Sequence, residues 1–305
     1  MSQVVVPRLT SLPQDLASWT RLLVKQYSLR AGTRMGQHFL TDRKVLVDIL
    51  RSAELIPGQP VLEVGGGFGV LTLSLLDAGA RVVVVELDAN LALALKRLAV
   101  TSPKLTVLQG DVLKLRDAEI LKALGQEEFS IVANLPYEIS GAFLRKFLSG
   151  TLRPRTMTLL LQREVGERLT AKPGSMSLIS LLAEMACAKR EIVRIIPPSA
   201  FWPQPRVTSC LIRLELKSES ERADDLNGVL EQRVWQLARI GFAARRKLLS
   251  NNLASALPLK SGALTVMFER AGITPKARAQ ELGLKNWVAL ARELNRAANK
   301  SESIK

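Results

Sequence analysis

Val61-Leu62-Glu63-Val64-Gly65-Gly66-Gly67-Phe68-Gly69 begins as a short apolar run and dissolves into glycine. A β-branched, apolar stretch of this length reads as a buried strand. The glycines behind it allow a sharp turn and let a ligand lie against main-chain N–H groups. Residues 69–78 then continue with helical spacing, giving a strand, a glycine turn and a helix. Alone, that unit admits two readings: a tight corner between strand and helix, or a site for a nucleotide-like ligand.

The same texture repeats on either side. Strand-like runs at 81–87, 105–108, 129–133 and 156–161 alternate with amphipathic stretches at 89–99, 115–124 and 138–148. This alternation predicts a parallel sheet covered by helices. A helix-like stretch near 175–186 is followed by strand candidates at 190–196 and 207–216, with the turn-rich segment Pro197 to Pro205 between them. Two strands without a crossover helix predict an antiparallel ending, so the expected sheet is seven-stranded and mostly parallel. Helical patterns at 14–30 and 44–54 precede it. The polar segment Lys217 to Asp225 carries no periodicity and marks a boundary between a domain of residues 1–216 and a small helical domain of 217–305. Helices are expected in the latter at 226–257, 262–271 and 286–298.

Lys and Arg total 43 against 28 acidic residues in 305, a formal net charge of +15. Such an excess points to a polyanionic partner, nucleic acid ahead of an anionic membrane. Residues 217–305 hold 16 basic and 9 acidic residues, so the small domain carries a large share of it. No apolar run approaches the roughly 20 residues that span a bilayer, and Met1 to Thr10 lacks the pattern of a secretory signal. Two cysteines, Cys187 and Cys210, are too few for a disulfide framework, and a single histidine, His38, without a Cys-x-x-Cys pair argues against a zinc site. The expectation is a cytoplasmic, monomeric protein without a metal.

Several ligands can be separated at the glycine turn. A dinucleotide fingerprint, counted from Gly65, needs a small residue where Val70 stands, and no Gly-Lys-Ser/Thr follows to make a phosphate loop. The spacing Gly65, Gly67, Gly69 after Glu63 instead resembles the E/D-x-G-x-G-x-G turn of class I S-adenosylmethionine-dependent methyltransferases. Glu86, ending the second strand, is placed to accept from both ribose hydroxyls of an adenosyl group, and Asp111, ending the third, from an adenine amine. Asp88 reads better as a helix N-cap. Glu63, Glu86 and Asp111 would share the carboxyl edge of one parallel sheet, where ligands bind in open α/β folds.

Asn134-Leu135-Pro136-Tyr137 follows the strand at 129–133 and resembles the N/D-P-P-Y/F motif of amino-methyltransferases. An exocyclic amine is a poor nucleophile because its lone pair is delocalised into the ring. If the Asn134 side-chain oxygen and the Leu135 carbonyl accept its two N–H hydrogens, the nitrogen is drawn towards tetrahedral geometry. Pro136 fixes the turn, and Tyr137 offers a flat surface for an extruded base. Catalysis is then mostly positioning.

Seven segments recur in order: Gly36-Gln37-His38-Phe39-Leu40, Glu63 to Thr72, Glu86-Leu87-Asp88, Asn134 to Ser140, Leu161-Gln162-Arg163-Glu164-Val165, Phe201 to Val207 and Gly241 to Lys247. Together they resemble the KsgA family of small-subunit rRNA adenine N6,N6-dimethyltransferases over about residues 20 to 300. The resemblance implies a Rossmann-like catalytic domain with a small α-helical domain. It implies a ribosome-biogenesis enzyme that dimethylates two adjacent adenosines in a hairpin near the 3′ end of small-subunit rRNA. By position, His38 and Leu40 should touch the cofactor with Gly65, Gly67, Glu86, Asp111 and Asn134, and Phe201 should form a second aromatic wall of the base pocket. The chain departs from the family pattern at His38, at Glu138, at Gly66 and in Gly174 to Leu178; a packing role for the His38 side chain stays open.

Arg239, Arg245, Arg246 and Lys247 are candidate phosphate contacts, with Arg153-Pro154-Arg155 and Arg163 as further ones. Two alternatives stand beside this reading. One is an Erm-type methyltransferase acting on large-subunit rRNA; the other is a non-catalytic RNA-binding protein on the same fold.

Overall fold

The computed structural model describes residues 10–27, 38–244, 246–257 and 262–302. Gly36, Gln37 and Arg245, and residues 28–30 of the first helical pattern, lie outside the described residues. Two compact units emerge. One takes the described residues up to Glu167 together with Lys189–Leu216; the other takes Arg168–Ala188 and the described residues from Lys217 onward.

The larger unit begins with α1 (Leu16–Gln26), which the Asp15 side chain caps through the Ser18 N–H. Next come β1 (Phe39–Leu40) and α2 (Arg43–Ala53), whose first turn is held by Asp42 accepting from Lys44 and Val45. The strand–helix alternation then runs β2 (Pro60–Val64), α3 (Val70–Asp77), β3 (Arg81–Glu86), α4 (Ala89–Thr101), β4 (Leu105–Gln109), α5 (Asp117–Leu124), β5 (Ser130–Asn134), α6 (Ser140–Ser149), β6 (Thr156–Gln162) and α7 (Arg163–Leu169). After α8 (Leu178–Ala186), the strands β7 (Cys187–Ile196), β8 (Phe201–Trp202) and β9 (Ser209–Leu216) follow.

Seven strands form one sheet in the order β4-β3-β2-β5-β6-β9-β7. Pairings among β2, β3, β4, β5 and β6 are parallel, and β9 runs antiparallel to β6, so the sheet has the antiparallel ending expected from the two last strands. Every residue of β2 is buried, Glu63 included, which explains why the strand, that acid apart, reads as an apolar run rather than an alternation. Two small strands, β1 and β8, pair antiparallel outside the main sheet. No sequence periodicity announces strands of two residues.

The smaller unit adds α9 (Glu219–Leu226), α10 (Glu231–Gly241), α11 (Leu249–Ala256), α12 (Ala263–Arg270) and α13 (Leu284–Glu302) to α8. Three expectations change here. Lys217 to Asp225, expected as an unstructured boundary, is mostly helix: Ser218 caps α9 and Glu221 reaches back to the Ser218 N–H at 2.8 Å. α9 buries no residue, so it has no apolar stripe to read. The single helix expected at 226–257 is two, α10 and α11, broken at 242–248. Finally, residues 168–188 sort with the small unit rather than with the sheet. Met176, Leu181 and Met185 belong to the same core as Leu237, Phe268, Trp287 and Leu290, and burying these apolar side chains together is what places the segment there.

Candidate active site

A cleft of about 300 Å³ opens at the carboxyl ends of the parallel strands, lined among others by Gly65, Gly67, Glu86, Asp111, Asn134 and Tyr137. The glycine turn after β2 forms its floor. Gly65 holds φ at +74°, a left-handed conformation that favours glycine, and its Cα side faces the Pro136 ring, which a Cβ would meet at 3.4 Å, an ordinary contact.

Glu86 is the electrostatic centre of the turn. Its carboxylate accepts from the Gly67 N–H at 3.0 Å and from the Asp88 N–H at 3.0 Å. Burial raises its pKa, opposed by those backbone donors. Beneath it, Glu63 is 1% exposed and accepts from the Thr72 hydroxyl at 2.6 Å. Burial first, and the Glu86 carboxylate besides, push its carboxyl up to about 8. Glu63 is thus a neutral acid under the turn, while Glu86 faces the cleft. Asp88 lines the rim but spends one oxygen capping α4, accepting from Asn90 at 2.8 Å and Leu91 at 3.1 Å, as an N-cap does. Asp111 accepts from Leu113 at 2.9 Å and still borders the cleft.

Asn134 ends β5, where the strand register fixes it opposite Leu160. Its Nδ2 donates to the His38 carbonyl at 3.1 Å, which leaves Oδ1 as an acceptor at the cleft. The following Leu135 donates its N–H to the Leu160 carbonyl at 3.0 Å, anchoring the turn to β6. Tyr137 is fixed at its far end, its hydroxyl 2.7 Å from the Ser209 Oγ on β9. Burial raises the Tyr137 pKa, so the phenol stays neutral. His38 stands beside it, ring centroids 5.6 Å apart, with Nδ1 donating to the Pro203 carbonyl at 2.7 Å.

Two residues assigned by resemblance do not line the cleft. Leu40 and Phe201 sit opposite each other in the β1–β8 pair, 4% and 2% exposed, with their side chains in the core of the larger unit. Alternation along a strand sends neighbouring side chains to opposite faces. Phe39 therefore takes the cleft side, while Trp202, across from it, packs with Phe39, Phe68 and Leu91. Sequence reasoning passes over Phe39, Thr72 and Ser209. Each acts through a partner distant along the chain or on another element.

Among the candidate RNA contacts, Arg246 and Lys247 are exposed in the break between α10 and α11, as is Arg239 on α10. Arg163 is exposed too and pairs with Glu167 on the same helix, its Nε 2.6 Å from the carboxylate. Arg155 lies 3.5 Å from Glu128. Among the described residues no group of three or more His, Cys, Asp or Glu could hold a metal ion, and no helix is long and apolar enough to cross a membrane.

A mostly parallel seven-stranded sheet with a glycine turn, a strand-end acid and an Asn-x-Pro-Tyr turn on one edge is the architecture of a class I methyltransferase. Comparison with known proteins narrows the class. The family described as ribosomal RNA adenine dimethylase matches residues 29–296. Ribosomal RNA small subunit methyltransferase A of Dehalococcoides mccartyi (strain ATCC BAA-2266 / KCTC 15142 / 195) is 37% identical, over 90% of this chain and 92% of its own. The protein of that name from Anaeromyxobacter dehalogenans (strain 2CP-C) is also 37% identical, over 90% and 97%. Among solved structures, the 23S rRNA methyltransferase ErmE superposes with a TM-score of 0.64 at 27% identity, covering 84% of this chain and 99% of its own. A dimethyladenosine transferase from Plasmodium falciparum has the same fold, with a TM-score of 0.70 at 24% identity over 86% and 98%. The chain belongs to the ribosomal RNA adenine dimethylase family, and its activity is methylation of adenine in ribosomal RNA.

Proposed function

We propose that this chain transfers methyl groups from S-adenosylmethionine to the N6 amines of two adjacent adenosines, in a hairpin near the 3′ end of small-subunit rRNA. It acts as a monomer on an assembling small-subunit particle in the cytoplasm. The observation that carries the reading is the Asn134 amide, whose Nδ2 is committed to the His38 carbonyl so that Oδ1 is left to accept. A base seated on Tyr137 would give one amine hydrogen to that oxygen and the other to the Leu135 carbonyl. The two acceptors pull the nitrogen out of conjugation, and the freed lone pair becomes the nucleophile.

The residues present fit the cofactor. The turn from Gly65 to Gly69 presents backbone where a side chain would intrude, Glu86 offers a carboxylate at the end of β3, and the rim acids Asp88 and Asp111 suit a cationic ligand. When bound, S-adenosylmethionine supplies a methyl group already electrophilic on its sulfonium. Gly67, Glu86 and Asp111 then have only to hold and orient it, and His38 closes the cleft from the side of Tyr137. No strong general base is needed, because the methylated ammonium is acidic and its proton passes to water. Orientation of bound reactants is the main source of rate here.

Small-subunit rRNA is favoured as substrate over large-subunit rRNA by the names of the sequence relatives, which match about 90% of the chain. Mass spectrometry of adenosines after incubating undermethylated small subunits, and large subunits in parallel, with protein and cofactor tests the reading. The expected product is N6,N6-dimethyladenosine at two neighbouring positions; modification of large-subunit RNA alone would overturn it. Asn134→Ala should lower kcat by about 100-fold or more, an effect on reactant orientation, with RNA affinity little changed. A near-normal rate would remove Asn134 from the chemistry.

A further inference from the structure

The last turn of an α-helix leaves carbonyls without intrahelical partners. They are the negative pole of the helix and draw in nearby cations. α10 ends at Gly241, and the segment that follows carries Arg246 and Lys247, both exposed. In such a place the cations would be expected to fold back on the helix end. Instead, another group occupies it. Asn252 on α11 is 6% exposed, and its Nδ2 donates to the Gly241 carbonyl at 2.7 Å and to the Ala244 carbonyl at 3.1 Å.

The surrounding turn is pinned at several further points. Phe242 packs on Trp287 with ring centroids 5.7 Å apart, Lys247 donates its N–H to the Ala244 carbonyl at 3.0 Å, and Leu249 donates to the Ala277 carbonyl at 2.9 Å. Trp287 lies so close to α10 that a Cβ on Gly241 would come within 2.5 Å of the ring. Among the described residues, neither Arg246 nor Lys247 forms an ion pair, whereas Arg222 is paired with Glu231, and Arg270 and Arg296 with Glu293.

We propose that Asn252 is a positioning residue for RNA recognition: by bridging the Gly241 carbonyl at the end of α10 and the Ala244 carbonyl in the turn beyond, it holds that turn and keeps Arg246 and Lys247 directed at phosphate. The inference rests on the reading of that turn as an RNA contact. A neutral amide suits the task because it satisfies two carbonyls without placing a charge in a buried position, where desolvation would be costly. A cation in the same place would also compete for the phosphate.

Four variants separate the possibilities, each checked for folding by its thermal midpoint and assayed on undermethylated small ribosomal subunits. Asn252→Ala removes both hydrogen bonds. It should raise KM for the RNA substrate roughly 10-fold and lower the slope of log affinity against log salt by about one to two, the share of two phosphate contacts. The kcat at saturating RNA and the KM for S-adenosylmethionine should stay within about two-fold, since an RNA phosphate contact acts on affinity and register. Asn252→Asp, which cannot donate, should behave at least as badly. Asn252→Ser, which keeps one donor, should fall between and serves if Asn252→Ala does not fold. The double variant Arg246→Glu with Lys247→Glu tests the underlying contact. Adding Asn252→Ala to it should raise KM no further, because both changes remove one interaction. If the double variant leaves KM and salt slope unaltered, the turn does not touch RNA, and both readings fall. If the double variant weakens binding while folded Asn252 variants keep the parental KM and slope, or if the effects add, Asn252 is only a structural cap and the proposal is overturned.

Discussion

Replacing Glu63 by glutamine should make the protein more stable at neutral pH, and the structure sets how much. The side chain is 1% exposed, its one oxygen accepts from Thr72 at 2.6 Å, and its carboxyl is pushed up from 4.5 to about 8. In the unfolded chain the same group ionises near its ordinary value. Its contribution to stability is therefore fully present below pH 4.5 and is lost as the pH rises through about 8. At pH 7 the folded state has held its proton for roughly 2.5 pH units against solvent, which at 1.36 kcal/mol per unit disfavours folding by about 3 kcal/mol. A glutamine in its place would keep an oxygen for Thr72 and carry no charge in either state. Glu63→Gln should then gain up to about 3 kcal/mol at pH 7, or a rise in Tm of roughly 6–12 °C for a unit of this size. Near pH 5 the gain should nearly vanish. Thermal unfolding followed by circular dichroism at half-unit steps from pH 5 to 9 reads this directly. A variant less stable than the parent by the same amount at every pH would refute the reasoning, since it would mean that Glu63 is ionised or that its geometry matters more than its proton. Thr72→Val offers a second handle. It removes the donor that lowers the Glu63 pKa, so the stability of that variant should fall more steeply between pH 6 and 9 than the parent's.

Two further changes probe the cleft. Glu86→Gln keeps the side-chain shape but loses the charge, and should weaken S-adenosylmethionine binding by about 10- to 100-fold, the worth of a hydrogen bond to a charged group. Titration calorimetry checks it, and an unchanged Kd would mean that the adenosyl group is not held at the end of β3. Gly66→Ala places a Cβ 2.4 Å from Val84 Cγ2 and 3.0 Å from Leu95 Cδ1, an overpacking that should cost about 1–3 kcal/mol. Adding Val84→Ala should recover part of the loss in chemical denaturation, and strict additivity of the two changes would argue that the clash is relieved elsewhere.

How much of this can be read in advance follows from where each interaction lies along the chain. The strand, the glycine turn and the helix at residues 61–78 are contiguous, so their pattern is visible as composition and period. The same holds for the N-cap Asp88, which bonds residues two and three places ahead. The capping pair Ser218 and Glu221 is equally local, but α9 has no buried stripe and its sequence reads as a linker. The break in the helix expected at 226–257 is hidden for the opposite reason. Ala243, Ala244, Arg246 and Lys247 are all good helix formers, and the chain leaves the helix there for tertiary bonds, from Asn252 to Gly241 and from Leu249 to Ala277.

By itself the sequence determined the alternation that builds the sheet, the acid at the end of each early strand and the Asn134 to Tyr137 turn, because each is a local pattern: a short β-branched run, a helical period of 3.6 or a turn residue. It could not decide which way the Asn134 amide turns, where the Tyr137 hydroxyl is held or which acid keeps its proton. Those were settled when His38, 96 residues away, came to hold the Asn134 amide, when Ser209, 72 residues away, took the Tyr137 hydroxyl, and when α3 closed over Glu63. The β1–β8 pair likewise turned Leu40 and Phe201 into the core and left Phe39 at the cleft. Side-chain direction and protonation depend on what is packed around a group, and that environment exists only once distant segments have met.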